Sequence, residues 1–346
     1  MNNKISISCK VIKGNDCLLS GMKYRHSDDP GLDELLGWQK RCFTFDWLTT
    51  PRGAKIRFAF QKVAEPRAVI LIVNGRSEFI EKYAEVCRDL QDMHAELWIY
   101  DHFGQGGSDR PLEDPHKGHI DDFTTYVDDL TQLITEQVRP LQTVPFILLT
   151  HSMGSTIATL SAATHGHLMA GMIHHSPMLG INTGYLPEWG AEKISAYQCS
   201  LGHGEHYVWG GGPFVAIDFK NNVLTSDETR FSRTMTMMSD MQGLALGAPT
   251  FGWLYQAYRA IDLAREVAQE IEVPTLVQFS ARDRLVSVAP MDEFCTPRKN
   301  CRKNRFEEGE HELLMERDPI RARVLAELKG FIDEICQRSG NNQSST

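Results

Sequence analysis

A chain of 346 residues, 42% of them hydrophobic and 23% charged, is long enough to bury a sizeable core, and its formal net charge of -9 argues against a nucleic-acid partner. The longest apolar runs, such as AVILIV at 68–73, fall far short of the ~18 residues that mark a membrane-spanning helix, so any membrane contact is expected to be peripheral.

Residues 1–40 read as an N-terminal extension. Lys4, Lys10 and Lys13 are spread through its start, and it lacks the continuous apolar stretch and small-residue cleavage site of a secretion signal. FTFDWLTT (43–50) and AKIRFAFQ (54–61) flank PRG and resemble an antiparallel hairpin. Short apolar runs follow: RAVILIVNG (67–75), AELWIYDHFG (95–104), VPFILLTHSMG (144–154), GMIHHSPML (171–179), VPTLVQFSARD (273–283) and NRFEEGEH (304–311). Helical patterns separate them. In 77–91, Phe79, Ile80, Tyr83, Val86, Cys87 and Leu90 share one face, with Ser77 as N-cap. In 318–335, Asp318 caps, Pro319 takes the first helical position, and Ile320, Val324, Leu328, Phe331 and Ile335 form the apolar stripe. Such alternation predicts an α/β class with a mostly parallel central sheet and helices on both faces.

Residues 180–250 break the rhythm, being rich in Gly, Trp, Met and Asn, and read as a cap inserted over the strand ends. The core is then 41–179 together with 251–338, and the polar tail 339–346 is expected to fray. Trp189, Trp209, Phe214, Trp253 and the methionines at 235–241 fit either an acyl-chain channel or the insertion's own small core. Eight cysteines scattered without C-x-x-C spacing suit reduced thiols, as in the cytosol, better than a disulfide framework.

The chemistry gathers at the ends of the apolar runs. Ser152 sits where one run turns straight into small residues at helical spacing, the place of a nucleophile elbow. The usual G-x-S-x-G reads here Thr150-His151-Ser152-Met153-Gly154, so the second glycine is present and the first is not. A serine hydroxyl needs a base to take its proton and an acid to orient that base, later in the chain. Asp283, just past one apolar run, and His311, past the next, supply both in the order Ser, Asp, His. A second N–H for a developing oxyanion is expected after the third strand, where Gly75 permits close approach and the N–H of Arg76 would join that of Met153.

Metal readings fare worse. HELLM begins like H-E-x-x-H, but the second histidine position is Met315. His203 and His206 lack an evident third ligand, and His174 and His175 read as packing or substrate-pocket residues. DHFGQGGSDR lacks the x-x-G ending of a dinucleotide loop.

NGRSEFIEKYAE, YDHFGQGGSDR, THSMG, SPMLGI, SARDRLVS and GEHELLMERDPIRARVL resemble, in order from about residue 40 to 336, the blocks of α/β-hydrolases of the bacterial lysophospholipase and monoacylglycerol lipase type. NNVLTSDETRF and GAPTFGW in the insertion are similar to the lysophospholipase branch. The resemblance implies an α/β-hydrolase fold, Ser152 as nucleophile, Asp283 and His311 as its partners, Arg76 and Met153 as oxyanion donors, and Asp101 and Gly104 as turn residues. It implies a cytoplasmic enzyme that meets the inner membrane, with a single-chain lipid ester as substrate and no metal or organic cofactor. A monoacylglycerol lipase, a general carboxylesterase, an acyltransferase with the same triad and a non-catalytic hydrolase-fold binding protein stay open. Asn74, in place of the histidine of the commoner H-G pair, and Thr150 depart from the pattern in geometry and substrate range rather than in catalytic groups.

Overall fold

Six consecutive apolar residues make β3, Ala68–Val73, and every one is buried. Because successive strand side chains point to opposite faces, Val69, Leu71 and Val73 enter one hydrophobic core while Ala68, Ile70 and Ile72 enter another. A continuous apolar run is thus the mark of a strand covered on both sides. The computed structural model describes residues 30–138, 144–184, 186–241, 243–296 and 298–343.

The hairpin forms as expected: β1 (Thr44–Thr49) and β2 (Lys55–Gln61) pair antiparallel, and β2 joins β4 (Ala95–Tyr100) antiparallel. From β4 onward every pairing is parallel, through β3, β5 (Phe146–His151), β6 (Gly171–His175), β7 (Thr275–Ser280) and β8 (Cys301–Phe306). The eight strands run in the order β1-β2-β4-β3-β5-β6-β7-β8. Helices α1 (Leu32–Cys42), α2 (Ala84–Asp89) and α9 (Asp318–Gln343) cover one face with Trp38, Val86 and Leu328. On the other, α3 (Thr124–Gln132), α4 (Met153–His165) and α7 (Phe251–Val267) contribute Leu130, Ile157 and Ile261.

Between β6 and α7 the insertion carries α5 (Glu188–Ser200), which packs on α7, and α6 (Glu228–Asp240). Ions tie α6 down. Arg230 meets Glu85 of α2 at 2.7 Å, Asp227 at 2.9 Å and Asp318 of α9 at 2.9 Å, while Arg233 meets Glu85 at 3.1 Å. A last short helix, α8 (Val288–Glu293), precedes β8. Among the described residues no helix is long and apolar enough to cross a membrane.

Three expectations need correction. Cys295 and Cys301 form a disulfide, because the chain between α8 and β8 doubles back and brings positions six apart to a Cα separation of 5.1 Å; Cys87, Cys199 and Cys336 are thiols, and Cys9 and Cys17 lie outside the described residues. Ser77 is not a helix cap: its φ is 64°, a 3-10 turn spans Ile80–Tyr83, and α2 starts only at Ala84. The N–H of Ile80 is instead met by Asp101 Oδ1 from beyond β4 at 2.9 Å, a partner no local pattern could announce. Finally, α9 runs on to Gln343, so 339–343 are helical where composition suggested fraying; residues 344–346 lie outside the described residues.

Candidate active site

Four loops leave the carboxyl ends of β3, β5, β7 and β8, the edge at which α/β sheets bind ligands. The turn after β5 is abrupt. Ser152 has φ 49° and ψ −116°, a strained conformation for a residue with a side chain, and α4 begins at the next residue. Its N–H donates to His175 O at 2.9 Å, and its carbonyl accepts from Ser155 and Met178. Gly154 explains why the last position of the pentapeptide has no side chain: a Cβ there would lie 2.1 Å from Val73 O. Thr150, the departure from the usual elbow, is buried, with its hydroxyl 2.7 Å from Ser155 Oγ and 2.7 Å from His174 Nδ1, which ties the strand end to the first turn of the helix.

His311 and Asp283, twenty-eight positions apart, meet: His311 Nδ1 donates to Asp283 Oδ2 at 2.7 Å. Burial alone would raise the Asp283 carboxyl, but His311 and the N–H groups of Val286 and Leu285, at 3.0 and 2.9 Å, outweigh it and hold its pKa below the ordinary value. His311 is itself held through its backbone, with Ser176 Oγ donating to its carbonyl at 2.7 Å and Glu312 N–H donating to Leu224 O of the insertion at 2.7 Å. Gly309, at φ 95°, makes the turn that delivers it.

After β3, Gly75 packs so close to the elbow that a Cβ on it would sit 3.2 Å from Ser152 Cβ and 2.9 Å from His151 Nδ1. The backbone N–H groups of Arg76 and Met153 find no protein acceptor among the described residues. The Arg76 side chain turns towards the insertion: Nη2 donates to Gly247 O at 2.6 Å, Nη1 to Ser77 Oγ at 3.1 Å, and the guanidinium lies 5.1 Å from the Trp253 ring.

Ser152, His311 and Arg76 all line a cavity of about 410 Å³. Its walls are mostly apolar, with Met178, Ile181, Leu224, Met235, Met238 and Trp253 among them. The aromatic and methionine residues of the insertion therefore divide. Trp253, Met235 and Met238 face the cavity, Met237 and Met238 pack with Phe79 and Leu244 in a small core against which Phe214 and Met235 lie, and Trp189 and Trp209 are 65% and 70% exposed. His174 and His175 are buried packing residues outside the cavity, and burial pushes both pKa values down to about 3. His203 hydrogen-bonds Gln198 and stacks on His206.

One cluster beside the elbow escaped the sequence. Glu78 accepts from Lys82 at 2.7 Å, Tyr83 Oη at 2.8 Å, His151 Nδ1 at 2.9 Å and the N–H of Gly75. Lys82 also reaches Glu312 at 2.6 Å, and the His151 ring lies 4.7 Å from that of His311. Burial disfavours the Glu78 carboxylate, yet His151 and Lys82 overcome this and hold its pKa well below normal; Lys82 is raised to about 12 because Glu312 and Glu78 outweigh its own burial. The available signal was the pair of opposite charges four apart, Glu78 and Lys82, together with a histidine just before the serine. Of the two glutamates flanking His311, Glu312 thus joins this network, while Glu310 pairs with Arg284 at 3.2 Å nearer the surface.

A mostly parallel eight-stranded sheet, an elbow after its central strand and an Asp–His pair on the next loops define an α/β-hydrolase fold of the serine-hydrolase class. Residues 64–318 match the family model described as serine aminopeptidase, S33, and the chain belongs to that family. It is 30% identical over 304 residues to a probable lysophospholipase L2 of Haemophilus influenzae, covering 87% of this chain and 96% of that one. To lysophospholipase L2 of Escherichia coli it is 30% identical over 297 residues, covering 84% and 87%. Among solved structures, a soluble variant of monoglyceride lipase from Saccharomyces cerevisiae shares the fold with a TM-score of 0.69 at 17% identity, covering 84% of this chain and 94% of that chain.

Proposed function

We propose that the protein is a carboxylic ester hydrolase acting on a single-chain lipid, and specifically a lysophospholipase that works through an acyl-enzyme on Ser152. The observation that carries this reading is the 2.7 Å His311–Asp283 bond on the same cavity as a serine held at φ 49° at the start of α4. His311 takes the proton of Ser152 as its oxygen attacks the acyl carbonyl. The N–H groups of Arg76 and Met153 hold the oxyanion, and His311 returns the proton to the departing glycerol oxygen. Water, activated by the same histidine, then releases the fatty acid. Asp283, kept ionised by its partners, fixes the imidazole tautomer and stabilises its charged form.

The apolar walls suit one acyl chain, whose burial contributes ~0.8 kcal/mol per CH₂ within a volume ordinary for a ligand pocket. Similarity to proteins named lysophospholipase L2 across most of the chain favours a lysophospholipid over a neutral monoacylglycerol. The exposed Trp189, Trp209 and Val215 of the insertion supply apolar surface for peripheral contact with a membrane from the cytoplasmic side.

Two measurements test the reading. A fluorophosphonate should label the wild-type protein and fail to label Ser152→Ala; an unlabelled wild type would mean a non-catalytic hydrolase fold. Purified protein should release fatty acid from lysophosphatidylethanolamine in preference to monoacylglycerol and short-chain esters. Transfer of the acyl group to an added alcohol in place of water would mark it as an acyltransferase.

A further inference from the structure

Among the described residues, the active-site cavity holds a cation with no anion to match it. Lys82 lies between Glu78 and Glu312, and His151 faces Glu78, so those charges answer one another. Arg76 differs. Among the described residues it forms no ion pair: Nη1 and Nη2 reach only the neutral oxygens of Ser77 and Gly247, and Nε is buried without a partner. Trp253 faces the guanidinium, and the absence of a side chain at Gly118 makes room for it, since a Cβ there would lie 2.3 Å from Nη2.

Withdrawing a guanidinium from water without a carboxylate is costly, and the cost is recovered where a ligand brings the missing charge. Burial lowers the Arg76 pKa to about 10, which leaves it protonated at neutral pH. A planar fork with an unused donor matches a phosphate in shape as well as charge. The carboxylate of a fatty-acid product would arise at Ser152 itself, where the N–H groups of Arg76 and Met153 already serve. A phosphodiester sits a glycerol's length away from the scissile ester.

We propose that the Arg76 guanidinium recognises the phosphodiester of a single-chain phospholipid whose acyl ester lies at Ser152 in the same cavity. This rests on the ester-hydrolase reading above and gives that reading its headgroup. Arg76 then acts twice, its backbone N–H on the oxyanion and its side chain on the phosphate, so the substrate is gripped on both sides of the glycerol by one residue.

The test compares 1-oleoyl lysophosphatidylethanolamine with monooleoylglycerol, using the full chain as wild type, Arg76→Met and Gly118→Ala. The readout is the ratio of kcat/KM between the two esters, because a loss shared by both reads the oxyanion loop and only the ratio reads the side-chain charge. In Arg76→Met the ratio should fall about 10- to 100-fold, chiefly through KM for the phospholipid, as expected for one charged hydrogen-bonding partner removed. Gly118→Ala keeps the arginine but displaces its guanidinium, and should move the ratio the same way; it also carries the test if Arg76→Met fails to fold. An equal fall for both esters overturns the proposal. Glycerophosphoethanolamine should inhibit monooleoylglycerol hydrolysis by the wild type and not by Arg76→Met. Equal inhibition by inorganic phosphate would assign the site to a free anion and overturn the headgroup assignment. A wild type that cleaves monooleoylglycerol but not the phospholipid removes this inference and leaves the hydrolase reading standing, whereas one that cleaves neither strikes the hydrolase reading itself.

Discussion

The sheet and the insertion are held by different balances of apolar burial and ion pairing. In β3, β4, β5 and β7 every residue is buried, and the strands are locked between two apolar layers. The insertion leaves Trp189, Tyr197, Trp209 and Val215 more than half exposed, and its helix α6 docks through Arg230 and Arg233 onto Glu85. Area burial is non-directional and tolerates little movement in a close-packed interior. Ion pairs are directional and can be broken singly. The two regions meet at the active-site cavity, where the elbow, Asp283 and His311 come from the strand ends and much of the apolar wall, Leu224, Met235 and Met238, comes from the insertion. The proposed reacting centre is thus lined partly by the buried strand ends and partly by a segment held through ion pairs as well as apolar contacts.

The largest expected effect belongs to the sheet side. Asp283→Asn should leave the fold intact and lower kcat by roughly 10⁴-fold, since the imidazole loses its tautomer lock; full activity in that variant would remove Asp283 from the proposed triad. Next comes the junction. Arg230→Met takes from the buried Glu85 its shortest partner, which costs about 3 kcal/mol. That should appear as amide exchange roughly 100-fold faster in α6 with β3 and β5 unchanged. Equal acceleration in the strands would mean that the insertion is no separate unit of stability.

A smaller effect should follow pH. The charge of Glu78 leads a cluster that raises the His151 pKa against its burial. A raised folded-state value means that the pair's stabilisation is fully present below the unfolded value of 6.5 and is lost as pH rises through the higher folded one. His151→Gln should therefore melt below the wild type at pH 6, and the gap should close on the alkaline side. A gap that widens with pH would contradict the ion pair. Smallest of all, Val215→Ser, at a side chain 75% exposed, should change stability by less than about 0.5 kcal/mol while weakening sedimentation with phospholipid vesicles. Unchanged vesicle binding in that variant and in Trp189→Ser would argue against membrane contact through this surface.

Much of the scaffold could be read in advance because it is local. Val69 and Ile70 fall on opposite faces by the pleat alone, Gly154 is demanded by the backbone it crosses, and the order Ser152, Asp283, His311 follows from strands that end on one edge. What escaped is non-local. Ile80 is capped by Asp101, twenty-one positions away, where Ser77 looked sufficient. Cys295 and Cys301 lack C-x-x-C spacing, and only the return of the chain between α8 and β8 brings them together. Met237 and Met238 share the small core, and nothing in the sequence marks Met238 as the one that also reaches the cavity, because both are simply apolar.

By itself, the sequence determined the apolar strands, that the sheet is mostly parallel and covered on both sides, and the chain order in which Ser152, Asp283 and His311 follow the apolar runs. These depend on periodicities of two and 3.6 and on chain order, and both survive without coordinates. Tertiary structure decided which charges meet. Lys82 finds Glu312, 230 positions away, and Glu85 finds Arg230, 145 away, whereas Arg76 finds no carboxylate among the described residues. An ion pair depends on a few ångströms of separation, and only the folded backbone sets distances on that scale.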